Sequence, residues 1–412
     1  LKERKYVIIN FLIIIQGKHM SKKKLLIYYP ESMLKPVGGP AGYLFNLRQG
    51  LDTLNKEEFP IDVSFYEAAP KSLRDTVKNK DKIPKRLREF RRAVDDIFYE
   101  KKAYPLDEKL HQYDMIHFHS IDAMYLCRKT LENYKGTVIL TSHSPCAKFK
   151  EKLAWLNPFD YKMLKKWVDR IEEMDAYSFK RADYIIFPCK EAEEPYYHTW
   201  EGYEQLREEK KYRYMPTGIV GCKAKVNRED FRKKYGIPDN AFVISYAGRH
   251  NEIKGYADLK RLGEKLLADK NVYFLIAGKE EPMTGLKNDH WIEVGWTNDP
   301  HSLIAASDVF VLPNHETYFD LILLEVLSLG VPVVMSRTGG NKYFEQFKQP
   351  GIKFYDTLEE AQDRILDIKK MPVDELCDAK AGIIEMFNNE FTVEKFAKNY
   401  INIISEIAAS IR

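Results

Sequence analysis

Phe242-Val243-Ile244-Ser245-Tyr246-Ala247-Gly248-Arg249-His250, followed by Lys254-Gly255, is the stretch on which the fold reading turns. The run 242–247 is apolar and ends at a glycine, which reads as a buried strand. Arg249 and Lys254 stand between that strand and an ensuing helix. Ligands of open α/β sheets bind at the carboxyl ends of strands, and a helix N-terminus offers unpaired N–H groups to an anion. Two cations and a helix N-terminus around one point suit a diphosphate, the more so as negative charge builds on it when a bond breaks. A solvated pair of surface charges is the bland alternative, and the position at a strand end disfavours it.

The same alternation of short apolar runs with longer amphipathic stretches extends in both directions, the signature of βα units on parallel sheets. Before this segment, strands are expected at Leu25–Tyr29, Ile61–Tyr66, Met115–His119, Val138–Ser142 and Tyr184–Pro188, with a helix from about Ala41 to Thr53. After it they are expected at Val272–Ala277, Trp291–Val294, Val309–Leu312 and Pro332–Met335. Pro216-Thr217-Gly218 separates the two series with turn chemistry. The expected organisation is an upstream segment 1–19, domains at 20–214 and 215–390, and a C-terminal amphipathic segment, 391–412, packing back across both. A length of 412 residues accommodates this at about 150 residues per domain.

Composition narrows the class. Hydrophobic residues at 44% and charged residues at 31% supply two cores of an ordinary globular protein. A net charge of +4 does not call for nucleic acid as a partner. Five cysteines (127, 146, 189, 222, 377), widely spaced and without CxxC, suit reduced thiols in a cytosolic protein and argue against ligation of metal by cysteine. Val7 to Ile15 is too short to span a bilayer, and no run of about 18 apolar residues occurs elsewhere. Met20 reads as the natural start, with a membrane-touching segment as the alternative reading of 1–19. A cytoplasmic location is expected, with peripheral contact at the inner face of the membrane as an extension of it. The basic stretch 71–92, from Lys71 through Arg92, is either a solvated face or a contact for anionic lipid or a phosphate-bearing acceptor.

Three further groups carry chemistry. Gly38-Gly39-Pro40-Ala41-Gly42 lies between the first strand and its helix, where glycine either lets backbone approach a ligand or makes a plain tight turn. It is not the dinucleotide GxGxxG pattern, so neither NAD nor FAD is expected. His119 and His143 end neighbouring strands and are placed to face a cleft; with His117 they could otherwise be structural, or a zinc site that lacks a third ligand at sensible spacing. Pro313-Asn314-His315-Glu316-Thr317-Tyr318-Phe319-Asp320 reads as a polar loop before an apolar helix from Leu321, with Glu325 in its first turns. A carboxylate there can accept hydrogen bonds from both hydroxyls of a ribose.

In order along the chain after Met20, these segments resemble the retaining family 4 glycosyltransferases of the GT-B fold. The resemblance rests on the Gly-Gly loop, His117-Phe118-His119, Thr141-Ser142-His143, Met215-Pro216-Thr217-Gly218-Ile219, Ala247-Gly248-Arg249-His250 with Lys254-Gly255, Ile276-Ala277-Gly278, and Leu324-Glu325 to Gly330-Val331-Pro332-Val333. It implies α/β architecture with two Rossmann-like domains facing each other across a cleft, the first binding acceptor and the second donor. The implied reaction moves a hexose from a nucleoside diphosphate sugar, UDP-sugar favoured, to a hydroxyl of a glycan, lipid-linked or protein acceptor. No cofactor or metal is implied, and the setting is surface polysaccharide or glycoprotein assembly.

Residue roles carried over are donor diphosphate for Arg249 and Lys254, ribose for Glu325, base for Gly295 and Trp296, donor sugar for His143, and phosphates or sugar for Gly39. One departure is plain. Such enzymes carry two glutamates, the first in a Glu-Gly-Phe-Gly-Leu segment. The register that keeps Phe319, Leu321 and Glu325 puts Thr317 at the first glutamate, with Tyr318 and Asp320 at the two glycines. Either Glu316 or Asp320 is expected to face the sugar instead, or the donor sugar is handled differently. The alternative is a catalytically reduced subunit that binds a partner transferase or an acceptor chain.

Overall fold

The computed structural model describes residues 22–30, 34–36, 38–67, 84–98, 103–153, 158–165 and 168–411. The reading of 1–19 and most of the basic stretch, 71–83, lie outside the described residues.

Among the described residues, two six-stranded parallel sheets organise the chain. The first has the order β2-β1-β3-β4-β5-β6, with β1 Lys23–Tyr28, β2 Ile61–Phe65, β3 Met115–Phe118, β4 Thr137–Leu140, β5 Tyr184–Phe187 and β6 Tyr212–Tyr214. The second has the order β12-β11-β10-β7-β8-β9, with β7 Phe242–Ala247, β8 Val272–Ala277, β9 Trp291–Gly295, β10 Val309–Leu312, β11 Val333–Ser336 and β12 Ile352–Tyr355. Strands β3, β4, β7, β8 and β10 are covered on both faces, so they read as continuous apolar runs. β6 and β12 escaped the sequence reading. Each sits at a sheet edge, and Arg213 and Lys353 interrupt their apolar character.

Four helices carry or brace the polar and charged groups of the cleft and its surroundings, α1 Pro40–Thr53, α3 Pro300–Ala305, α4 Leu321–Ser328 and α5 Val393–Ser410, while α2 Lys85–Ile97 packs against the helix Val168–Arg181. α1 opens with Pro40 in its first turn, where the missing N–H costs nothing. α5 is capped by the Thr392 side chain, which accepts from Lys395 N. Its stripe Phe396, Tyr400, Ile404 and Ile407 is buried with Leu44, Leu47 and Leu51 of α1 in the first domain's core. The C-terminal helix thus returns to the N-terminal sheet, and Tyr400 hydroxyl meets His117 Nδ1 at 2.9 Å. His117 Nε2 meets Thr141 Oγ1 at 2.9 Å, so both of its nitrogens serve structure.

Candidate active site

The carboxyl ends of β1, β3 and β4 face those of β7 and β10 across a cleft of ≈ 730 Å³. Gly39, Tyr43, His119 and His143 line one side; Arg249, Lys254, Asn314, Asp320, Leu321 and Glu325 line the other. A second hollow of ≈ 920 Å³, bordered by Ile253, Pro282, Met283, Trp296 and Thr297, lies beside it. Arg249 borders both spaces.

Gly39 caps α1 with φ 77°, and nothing lies within 4 Å of where its Cβ would be. The conformation demands glycine while the space beside it stays open to the cleft. Gly255 has the opposite surroundings. Its φ is 63°, and a Cβ there would stand 1.6 Å from the Pro313 carbonyl oxygen. Together with the 2.9 Å bond from His315 N to Ile253 O, this contact locks the 249–255 loop onto the 313–320 loop. Gly255→Ala is therefore expected to cost more than about 2 kcal/mol, from the left-handed backbone and the clash together. A urea denaturation midpoint falling at unchanged slope is the readout.

The locked loops fix the charges. Lys254 Nζ reaches both oxygens of Asp320, at 2.7 and 2.6 Å, and Asn314 Nδ2 donates to Asp320 Oδ2 at 2.5 Å. Burial pushes the Asp320 carboxyl up, but Lys254, Asn314 and Arg249 outweigh it and hold the group below its ordinary range. Asp320 is thus an anion that anchors Lys254 beside Arg249. Glu151, not singled out in the sequence, lies across from Arg249 at the border of both spaces. Burial raises its carboxyl, while Lys148 and then Arg249 bring it down on balance.

His143 has φ 57° and its Nε2 lies 2.9 Å from His119 Nδ1. Burial drives its pKa down to about 3, so at neutral pH it is an uncharged hydrogen-bonding group facing the cleft. Unfolding restores the ordinary imidazole value of about 6.5, so between these limits the unfolded chain binds the extra proton. Stability should accordingly decline as pH falls from about 6.5 toward 3. His143→Gln should lessen that slope in unfolding measured across the pH series, while His117 and His119, lowered by the same burial, keep the remainder.

Other sequence candidates separate. Of the two acids offered for the first-glutamate role, Asp320 lines the cleft, whereas Glu316 turns away to His198 Nδ1 at 3.0 Å. Thr317 is also off the cleft wall. Its side chain is fully buried, its hydroxyl has no hydrogen-bond partner among the described residues, and its carbonyl accepts from Gly340 N at 3.2 Å. Gly295, with φ 76°, gives its carbonyl to Gly278 N, and the next residue, Trp296, borders the second hollow instead. Glu325 Oε2 meets His301 Nε2 at 3.1 Å. His301 was missed because it lies on a different helix, α3, with no motif around it.

Residues 241–368, which hold Arg249, Lys254, Asp320 and Glu325, match the family model described as glycosyl transferases group 1. The chain carries a group 1 glycosyltransferase domain. The glycosyltransferase WclY of O-antigen biosynthesis from Escherichia coli is 23% identical over 327 residues, spanning 74% of this chain and 83% of that protein. Among solved structures, sucrose-phosphate synthase from Thermosynechococcus elongatus superposes with a TM-score of 0.61 at 16% identity, over 94% of this chain and 100% of that one. Anabaena Alr3699/HepE in complex with UDP-glucose superposes with a TM-score of 0.60 at 13% identity, over 93% and 99%. These likenesses establish the GT-B fold of two Rossmann-like domains. Among the described residues, no helix of the chain is long and apolar enough to cross a membrane.

Proposed function

We propose that this glycosyltransferase moves a hexose from a nucleoside diphosphate sugar, with UDP as the favoured nucleotide, to an acceptor hydroxyl with retained anomeric configuration. The observation that carries the reading is the pair Arg249 and Lys254 at the carboxyl end of β7, lining a cleft that the opposite sheet completes. The diphosphate would lie between the two cations, the ribose against Glu325, and the base in the apolar hollow near Trp296. His143 and Asp320 would face the sugar. The acceptor oxygen attacks the anomeric carbon from the face the diphosphate leaves. The carbon–oxygen bond to phosphate breaks, and the departing phosphate takes the acceptor proton. Cations aimed at that phosphate stabilise the charge that develops on it, with no metal required. Closure of the two domains would exclude water and limit hydrolysis.

The similarity to WclY supports a place in surface polysaccharide or glycoprotein assembly. The acceptor, whether a glycan, lipid-linked or protein chain, would enter from the N-terminal side. Exposed Arg86, Arg88 and Arg91 on α2 support peripheral contact with anionic lipid at the inner face of the membrane.

Glu325→Ala should weaken UDP binding by about 10–100-fold, the worth of hydrogen bonds to a charged group, while leaving the fold unchanged. Calorimetry with UDP and GDP measures this. Incubation with a panel of nucleotide sugars completes the test: slow hydrolysis of one donor supports a transferase, and binding of no nucleotide overturns it.

A further inference from the structure

The wide cysteine spacing led to the expectation that Cys222 is a reduced thiol and no metal ligand. The fold places it instead where three separate segments meet. The Cys222 sulfur, a His301 ring nitrogen and a Glu325 carboxylate oxygen all lie within 4.8 Å of one another. The segments are held there by bonds that do not involve the three side chains. Cys222 N donates to Ser328 Oγ at 3.1 Å, one turn beyond Glu325 on α4. Lys225 N and Val226 N both donate to Ser302 Oγ at 2.9 Å, beside His301 on α3. The linker between the two sheets is thereby fastened to both helices, and these backbone bonds bring the three donor atoms together.

From this convergence of Cys222, His301 and Glu325 we propose a zinc site that competes with the donor nucleotide. Thiolate, imidazole and carboxylate together suit a borderline-soft ion such as Zn²⁺ and not the hard Mg²⁺. Tetrahedral zinc holds such donors roughly 3.3–3.8 Å apart, within reach of small side-chain rotations from the observed spacing. His301 and Glu325 side chains are 28% and 26% exposed, so an ion has a path in and a fourth position stays open to water. Binding releases the Cys222 thiol proton and the imidazole proton that His301 shares with Glu325, and it occupies the Glu325 carboxylate. The exclusion of donor therefore rests on the proposed role of Glu325 toward ribose, whereas the metal site itself does not. The result is an inhibitory site at the edge of the cleft of a transferase that needs no metal for turnover.

The test titrates the full chain with Zn²⁺ alone against a chromophoric chelator, and then measures UDP affinity by calorimetry with and without saturating zinc. Wild type should bind one ion. Cys222→Ser should lose at least about tenfold in zinc affinity, keep its transfer rate in chelator, and keep its UDP affinity when zinc is added. Cys377→Ser removes an exposed thiol elsewhere and should change nothing. In wild type, zinc should weaken UDP binding by about tenfold or more, and Mg²⁺ should not. Equal zinc affinity in wild type and Cys222→Ser overturns the site. Zinc held through Cys222 with UDP affinity unaltered upholds the site but overturns its exclusion of the donor; the role of Glu325 at the ribose stands or falls separately, on UDP binding by Glu325→Ala in chelator.

Discussion

Arg249→Ala is expected to lower transfer by about 10²–10³-fold, the cost typical of removing one preorganised donor from a developing oxyanion. Arg249 is exposed at the boundary of the two hollows, and among the described residues its guanidinium has no hydrogen-bonded partner. Truncating it therefore strands no buried partner, and the melting temperature should hardly move. The loss should fall on kcat more than on KM, because the charge it answers is largest when the sugar–phosphate bond has broken. Steady-state kinetics and a thermal melt on the same preparation check both halves. A near-normal kcat would remove Arg249 from the phosphate clamp.

Lys254→Met should behave differently, because Lys254 is committed to Asp320 within a pocket that shields both side chains to 16% and 18% exposure. Removing the ammonium leaves a shielded carboxylate with Asn314 as its remaining close partner. Breaking a buried pair from one side costs about 3–5 kcal/mol, so this variant should lose stability as well as about 10²-fold or more in turnover. Lys254→Met combined with Asp320→Asn removes the stranded charge and should recover much of the stability. It should not recover transfer. If the double variant regained both, Lys254 would be a structural partner of Asp320 and no part of the phosphate site.

The contrast between these neighbours was only half legible in the sequence. The strand ending at Ala247 and the cations after it could be read because a strand buried on both faces is a continuous apolar run and its end is a fixed place in an α/β fold. Helix α4 and the register of Glu325 were legible for the same reason. The loop 313–320 has no periodicity, so which of Glu316 and Asp320 turns inward depends on contacts distant in sequence. His198 draws Glu316 to the first domain, and Gly255 packs under Pro313 to bring Lys254 against Asp320. Thr317 is held by Gly340 from beyond β11. Convergence of Cys222 and His301 on Glu325 from the linker and α3 was likewise invisible, because Cys222 and His301 are unremarkable within their own segments. Short edge strands β6 and β12 carry too little apolar signal to stand out.

A crystal structure with UDP soaked into the cleft examines the central claim most directly. The account predicts diphosphate density at the β7 carboxyl end, within hydrogen-bonding reach of the Arg249 guanidinium and the Lys254 ammonium, with the ribose hydroxyls on Glu325. A nucleotide bound elsewhere, or a vacant cleft with Arg249 directed into solvent and Lys254 still closed on Asp320, would contradict it.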